Sequence, residues 1–126
     1  MAWLVSDARV LASAEVAAGH SAKRTGLLGR DGLAGAFVLQ GCRWVHTIGM
    51  RFPLDVAYVG VDGTVLKIVH MERYRVGAPV PKASWVIEAA AGAFDRWGLA
   101  VGDPVELRVD EARADGNGRA VAAGDG

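Results

Sequence analysis

Residues 54–71 constrain this 126-residue chain more than any other stretch. Leu54-Asp55-Val56-Ala57-Tyr58-Val59 runs into Gly60-Val61-Asp62-Gly63-Thr64, and Val65-Leu66-Lys67-Ile68-Val69-His70-Met71 returns. Asp62-Gly63 is a strong hairpin dipeptide, because glycine accepts the positive φ that tight primed turns need. On the first arm Leu54, Val56 and Tyr58 share one face, and Asp55, Ala57 and Val59 share the other. Both faces are largely apolar, so this strand is expected to be covered on both sides. Asp55 then sits among buried side chains and needs a partner.

Other segments read as short strands. Trp3-Leu4-Val5 and Val10 to Val16 flank a turn at Ser6-Asp7-Ala8-Arg9, and Gly35 to Leu39 is a third candidate. Trp85 to Ala89 is a further strand, and Val105-Glu106-Leu107-Arg108-Val109 alternates apolar with charged residues, as a half-exposed strand does. Helices are expected near 20–28, with Ser21 as N-cap, and near 90–97, closed by Gly98. Residues 72–83 read as a loop. The fold class expected is α+β, mostly antiparallel β, curled into a small barrel or a strongly bent sheet. Residues 1–109 form one domain. Residues 110–126 hold four acids against two arginines, no aromatic residue and several glycines. Nothing there offsets the entropy of ordering, so this tail is expected to be disordered.

Composition narrows the function classes. The hydrophobic fraction is 52%, enough for a core without disulfides or metals. Net charge is zero, which argues against a nucleic-acid partner. The single cysteine excludes an intramolecular disulfide and suits a reducing compartment. Asp7, Arg9 and Glu15 interrupt residues 1–17, so no signal segment is read there. With no run of about 18 apolar residues, no membrane association is expected either. A cytoplasmic monomer is the expectation.

Polar chemistry concentrates in Cys42-Arg43-Trp44-Val45-His46-Thr47-Ile48-Gly49-Met50-Arg51-Phe52-Pro53-Leu54-Asp55. Cys42 and His46 are four apart, a spacing that shares one face on a helix or a strand. With Asp55 orienting the imidazole they compose a nucleophilic set. No glycine-rich nucleophile elbow precedes Cys42, and no oxyanion hole is legible; an inert core cysteine is the simpler reading. Zinc would draw on Cys42, His46, His20 and His70, but only Cys42 and His46 have ligand spacing, so neither metal nor cofactor is expected. Arg51 and Asp55 can pair directly and lock a loop. Alternatively Arg43, His46, Thr47, Arg51 and Asp55 together bind a carboxylate or phosphate. Arg24 and Arg30 flank Gly26-Leu27-Leu28-Gly29, which reads as tight packing rather than a phosphate loop. Trp44, Trp85 and Trp97 read as core residues. Lys67, Arg73, Arg75 and Lys82 form a basic patch, read as solvated surface or, alternatively, as a dock for an acidic partner or a weak nucleic-acid contact.

Several motifs together resemble one family. Arg24-Thr25-Gly26-Leu27-Leu28-Gly29-Arg30, the Cys42 to Asp55 run, Asp62-Gly63-Thr64-Val65, Val86-Ile87-Glu88 through Gly92, and Gly102-Asp103-Pro104-Val105 occur in the order seen in DUF192, also called UPF0127. The resemblance spans roughly residues 10–109. It implies a compact, mainly β domain with one or two short helices, and supplies no substrate, reaction or cofactor. The expected function is a non-catalytic binding or accessory module that recognises a small anionic ligand or a protein segment near residues 42–55. The alternative is a small enzyme using Cys42, His46 and Asp55.

Overall fold

The computed structural model describes residues 2–18, 32–48 and 50–109. The helix expected near 20–28 and the tail beyond 109 lie outside them. Seven strands and one helix follow in order: β1 (Ala2–Ser6), β2 (Arg9–Ala18), β3 (Ala36–Gln40), β4 (Leu54–Gly60), β5 (Val65–Met71), β6 (Ala83–Ala90), α1 (Ala93–Trp97) and β7 (Glu106–Val109). They form one sheet in the order β5-β4-β6-β3-β2-β1-β7. Neighbours are antiparallel except β2 and β3, which run parallel.

Local chemistry sets the turns. Asp7 and Ala8 both have positive φ, as a two-residue hairpin joining β1 and β2 requires. Between β4 and β5, Gly63 has φ +87° and the Asp62 carboxylate accepts the Thr64 N–H at 3.0 Å. Gly98 ends α1 in the left-handed conformation, and its N–H donates to the Asp95 carbonyl.

The sheet bends strongly. Its register is irregular at Leu4/Val5, Tyr58/Val59 and Val59/Gly60, where an extra residue kinks a strand. The bend brings residues 102–105, just before β7, against the start of β5. Val65 N–H donates to Asp103 O (2.9 Å), Gly102 N–H to Val65 O (2.8 Å) and Val105 N–H to Gly63 O (2.8 Å). This corner joins the two ends of the sheet, but β5 and β7 do not pair along their length. Of the two forms expected from the sequence, a small barrel or a strongly bent sheet, the barrel is not closed, and the sheet is open and bent. The contact between the two ends is limited to the Thr64–Pro104 bridge and its neighbours, ahead of β7, which has only four residues.

Each face of the sheet carries its own core. The inner, concave face buries Leu4, Ala36, Ala57, Val59, Ile87 and Phe94, among others. The outer face buries Phe37, Leu39, Leu54, Val56, Tyr58 and Val86 under Cys42, Val45, Met50 and Phe52. Every residue of β4 is buried, as its two apolar faces required. Among the described residues no helix is long and apolar enough to cross a membrane.

Candidate functional site

The polar run of the sequence is a lid on the outer face of the sheet. Cys42, Val45, Met50 and Phe52 point inward, while Arg43, Trp44, Ile48 and Arg51 point to solvent. The concentration of polar residues at 42–51 thus reflects an apolar underside and a wet upper side. A second segment, residues 72–80, straps the lid down. Val80 N–H donates to Arg43 O (2.8 Å), Gly77 N–H to Val45 O (2.9 Å), Thr47 N–H to Arg75 O (2.7 Å) and Tyr74 N–H to Thr47 O (3.1 Å).

Thr47 is the fastener. It is wholly buried, its hydroxyl donates to Glu72 O at 2.6 Å, and the same oxygen accepts the Arg75 N–H at 2.8 Å. Its one hydroxyl donor is thus spent on backbone, so it has none left to offer an anionic ligand. His46 lies beside it, bridged to Val76, with Nδ1 accepting the Ile48 N–H at 3.3 Å and its ring 5.8 Å from that of Trp44.

Cys42 is buried, and its thiol donates to Trp44 O at 3.0 Å. Glu88, on β6 opposite Val56 and Phe37, is buried on the same side of the sheet. Tyr58 lies close to both. Burial pushes its phenol pKa up, and the nearby Cys42 and Glu88 push it further. Glu88 carried one sequence signal, a single charge inside Trp85-Val86-Ile87-Glu88-Ala89-Ala90, which a strand reading alone does not interpret.

Asp55 is on the opposite face. Its Oδ2 accepts the N–H groups of Gly92 (2.9 Å) and Phe94 (3.4 Å), at the start of α1. Gly92 is the N-cap of that helix and has no side chain to cap with, so Asp55 supplies the cap from β4. Oδ1 meets His70 Nδ1 at 3.3 Å, from the position directly opposite on β5. Among the described residues, Asp55 therefore pairs with His70 and the α1 turn, not with Arg51 or His46. The alternation of β4 separates it from Cys42, and the set Cys42–His46–Asp55 is not assembled.

His70 and Glu72 are the site residues that the sequence did not reveal as a unit. The far nitrogen of His70, Nε2, lies 2.6 Å from Glu72 Oε2. Glu72 first, then Asp55, raise the His70 pKa above its ordinary value. The sequence offered His70 only as a distant zinc ligand. His20, another member of that set, lies outside the described residues. Among those described, no group of three or more His, Cys, Asp or Glu residues could hold a metal ion.

Arg43 and Trp44 border a hollow of about 470 Å³, completed by Gly41, Ala83 and Ser84. Trp44 is 42% exposed, Ile48 51%, Tyr74 58% and Val76 65%, so Trp44 is not the core residue the sequence suggested. The Arg73 guanidinium lies 5.1 Å from the Tyr74 ring centroid. Among the described residues no acid pairs with Arg43, Arg73 or Arg75.

Comparison with known proteins fits this architecture. The model of the DUF192 family, described as "Uncharacterized ACR", matches residues 3–107. The chain belongs to the DUF192 family. UPF0127 is the same family under another label. Two solved structures are similar to this DUF192 protein. One, a protein of unknown function from Novosphingobium aromaticivorans, is 21% identical with a TM-score of 0.66, over 83% of this chain and 82% of that one. The other, from Sinorhizobium meliloti and described as a candidate transcription regulator, is 23% identical with a TM-score of 0.69, over 84% and 91%. At these identities the likeness is one of fold. No curated protein matches the sequence.

Proposed function

We propose that this DUF192 protein is a non-catalytic binding module whose lid recognises an anionic group, carried by a small ligand or by an acidic protein segment. One observation carries the reading: the lid and its strap turn Arg43, Arg51, Arg73 and Arg75 to solvent beside Trp44, Ile48 and Tyr74. Arginine offers a planar fork of donors to carboxylates and phosphates, and arginine with tryptophan and tyrosine dominates binding hot spots. Thr47 holds the two segments together, so the face is preorganised. The hollow beside Arg43 gives it depth.

A cysteine enzyme has less support. Cys42 is buried beneath the lid, and Asp55 is committed to α1 and His70 on the other side of the sheet. The expectation is slow alkylation of Cys42 in the folded protein, at a rate His46→Ala leaves unchanged.

Tryptophan fluorescence tests the binding reading, with citrate and a hexaglutamate peptide as probes. Saturable quenching, absent in Trp44→Phe, is expected with at least one probe. Arg43→Ala or Arg75→Ala should weaken binding about tenfold or more, because a charge-assisted hydrogen bond contributes about 1.5–3 kcal/mol. Citrate binding points to a small ligand, and peptide binding alone points to a protein segment. Duplex DNA is the control that the fold neighbour's description calls for. If neither citrate nor peptide binds, or if DNA alone does, the reading is wrong.

A further inference from the structure

We propose that Asp55, His70 and Glu72 form a proton-operated latch, which holds residues 73–75 in their strapped position while His70 is charged and releases them when it is neutral. The mechanical part stands on geometry alone; its consequence for ligand capture rests on the binding reading above.

A donor count comes first. Both ring nitrogens of His70 face carboxylate oxygens, at 3.3 Å from Asp55 and 2.6 Å from Glu72. Ionised carboxylates only accept, and a neutral imidazole has one donor and one acceptor. Only the imidazolium satisfies both contacts. Once its proton leaves, one nitrogen turns a lone pair toward an anionic oxygen, and that contact must open.

Which contact opens follows from what holds each carboxylate. The Asp55 side chain is 12% exposed and fixed by two backbone N–H groups. Glu72 is 63% exposed and is held at its carboxylate by His70 alone among the described residues. Glu72 is the arm that swings.

Its swing reaches the lid through the backbone. The Glu72 carbonyl accepts the Thr47 hydroxyl, and the next residues run through Tyr74, which has φ +60°. A bulky residue in the left-handed region is strained and persists only where its neighbours hold it. Here the holders are Thr47 O and Oγ1, bonded to Tyr74 N–H and Arg75 N–H. Freeing the Glu72 side chain removes one anchor of that turn.

Among the described residues the charged groups nearby are few. Asp55 faces His70 from β4 and Glu72 follows it in the chain; Lys67 lies on β5 itself. The charges of α1, Asp95 and Arg96, are solvent-exposed, and that helix meets Asp55 with backbone N–H groups. The elevated His70 pKa agrees with a latch that is closed at the acid end and opens above the ordinary histidine range.

Proton–nitrogen NMR across the histidine titration tests it, following the His70 ring nitrogens and the amides of residues 73–75. The amides are expected to shift with the His70 midpoint, and Arg75 N–H to lose exchange protection above it. In Glu72→Gln the His70 midpoint should fall and the amide titration should vanish, because a carboxamide can donate to or accept from a neutral ring. His70→Gln, which needs no proton, should also abolish the titration. Silent amides in the parent, or amides titrating unchanged in both variants, would overturn the latch. Hexaglutamate binding at the same pH values is a separate readout. Affinity should fall several-fold through the His70 midpoint in the parent and stay flat in Glu72→Gln. A pH-independent affinity in the parent overturns the gating of capture. Absence of binding at every pH overturns the binding reading instead, and the amides still judge the latch.

Discussion

The Thr47 hydroxyl is used in both directions, donating to Glu72 O and accepting from Arg75 N–H, and the residue is wholly buried. Thr47→Val keeps the volume and removes both bonds. The cost should be about 1–3 kcal/mol, the range for stranding a buried polar group. A lowered urea midpoint with an unchanged slope would show it, and Thr47→Ser should recover most of the loss. A midpoint for Thr47→Val equal to the parent's would contradict the fastener role. Asp55 works by the same logic at another joint. Asp55→Ala removes the acceptor for Gly92 and Phe94 N–H and should cost about 0.5–2 kcal/mol, as the loss of a helix cap does. The loss should appear locally as faster amide exchange at the start of α1. The sequence announced that Asp55 needed a partner, because β4 is apolar on both faces. It did not announce which, since the backbone N–H of Gly92 carries no side-chain signature and lies 37 residues away.

Elements set by neighbouring residues were the legible ones. The β4–β5 hairpin, its Asp62-Gly63 turn and the Gly98 stop of α1 all rest on contacts between residues close in sequence, and the strand read at Trp85 to Ala89 showed in its apolar run although its partners β3 and β4 are distant. The parallel pairing of β2 with β3 and the corner between residues 63–65 and 102–105 rest on long-range contacts, which no local pattern encodes. The lid was legible as a cluster of chemistry but not in its orientation. It is neither helix nor strand, so no period told inward Thr47 from outward Arg51. The corner offers its own prediction. A Cβ on Gly63 would meet the Val105 carbonyl oxygen at 2.8 Å, at a φ of +87°. Gly63→Ala should therefore cost about 1–3 kcal/mol, the scale of a residue forced into a disfavoured backbone region. It should also free the Val105 amide for exchange. Parent-like stability would mean that the corner does not hold the sheet ends together.

At the scale of the whole molecule, pH acts against a nearly neutral background. The chain has a calculated pI of about 6.8 and no formal net charge at pH 7, so overall self-repulsion changes little there. A single perturbed histidine can then be read in the stability curve. Contacts with Glu72 and Asp55 raise the folded-state pKa of His70 above the unfolded value near 6.5. The folded state therefore binds the proton more tightly than the unfolded chain, and linkage fixes the sign. The contribution is fully present below the unfolded pKa and is lost as pH rises through the folded one. Unfolding free energy, measured in urea from about pH 6 upward, should fall across that window in the parent. The informative quantity is the difference from Glu72→Gln, whose curve should be flatter. His70 is half exposed, so added salt should shrink the difference. A parent curve that rises over the same window would mean that His70 is neutral in the folded state, and that its two carboxylate contacts are not held by a proton.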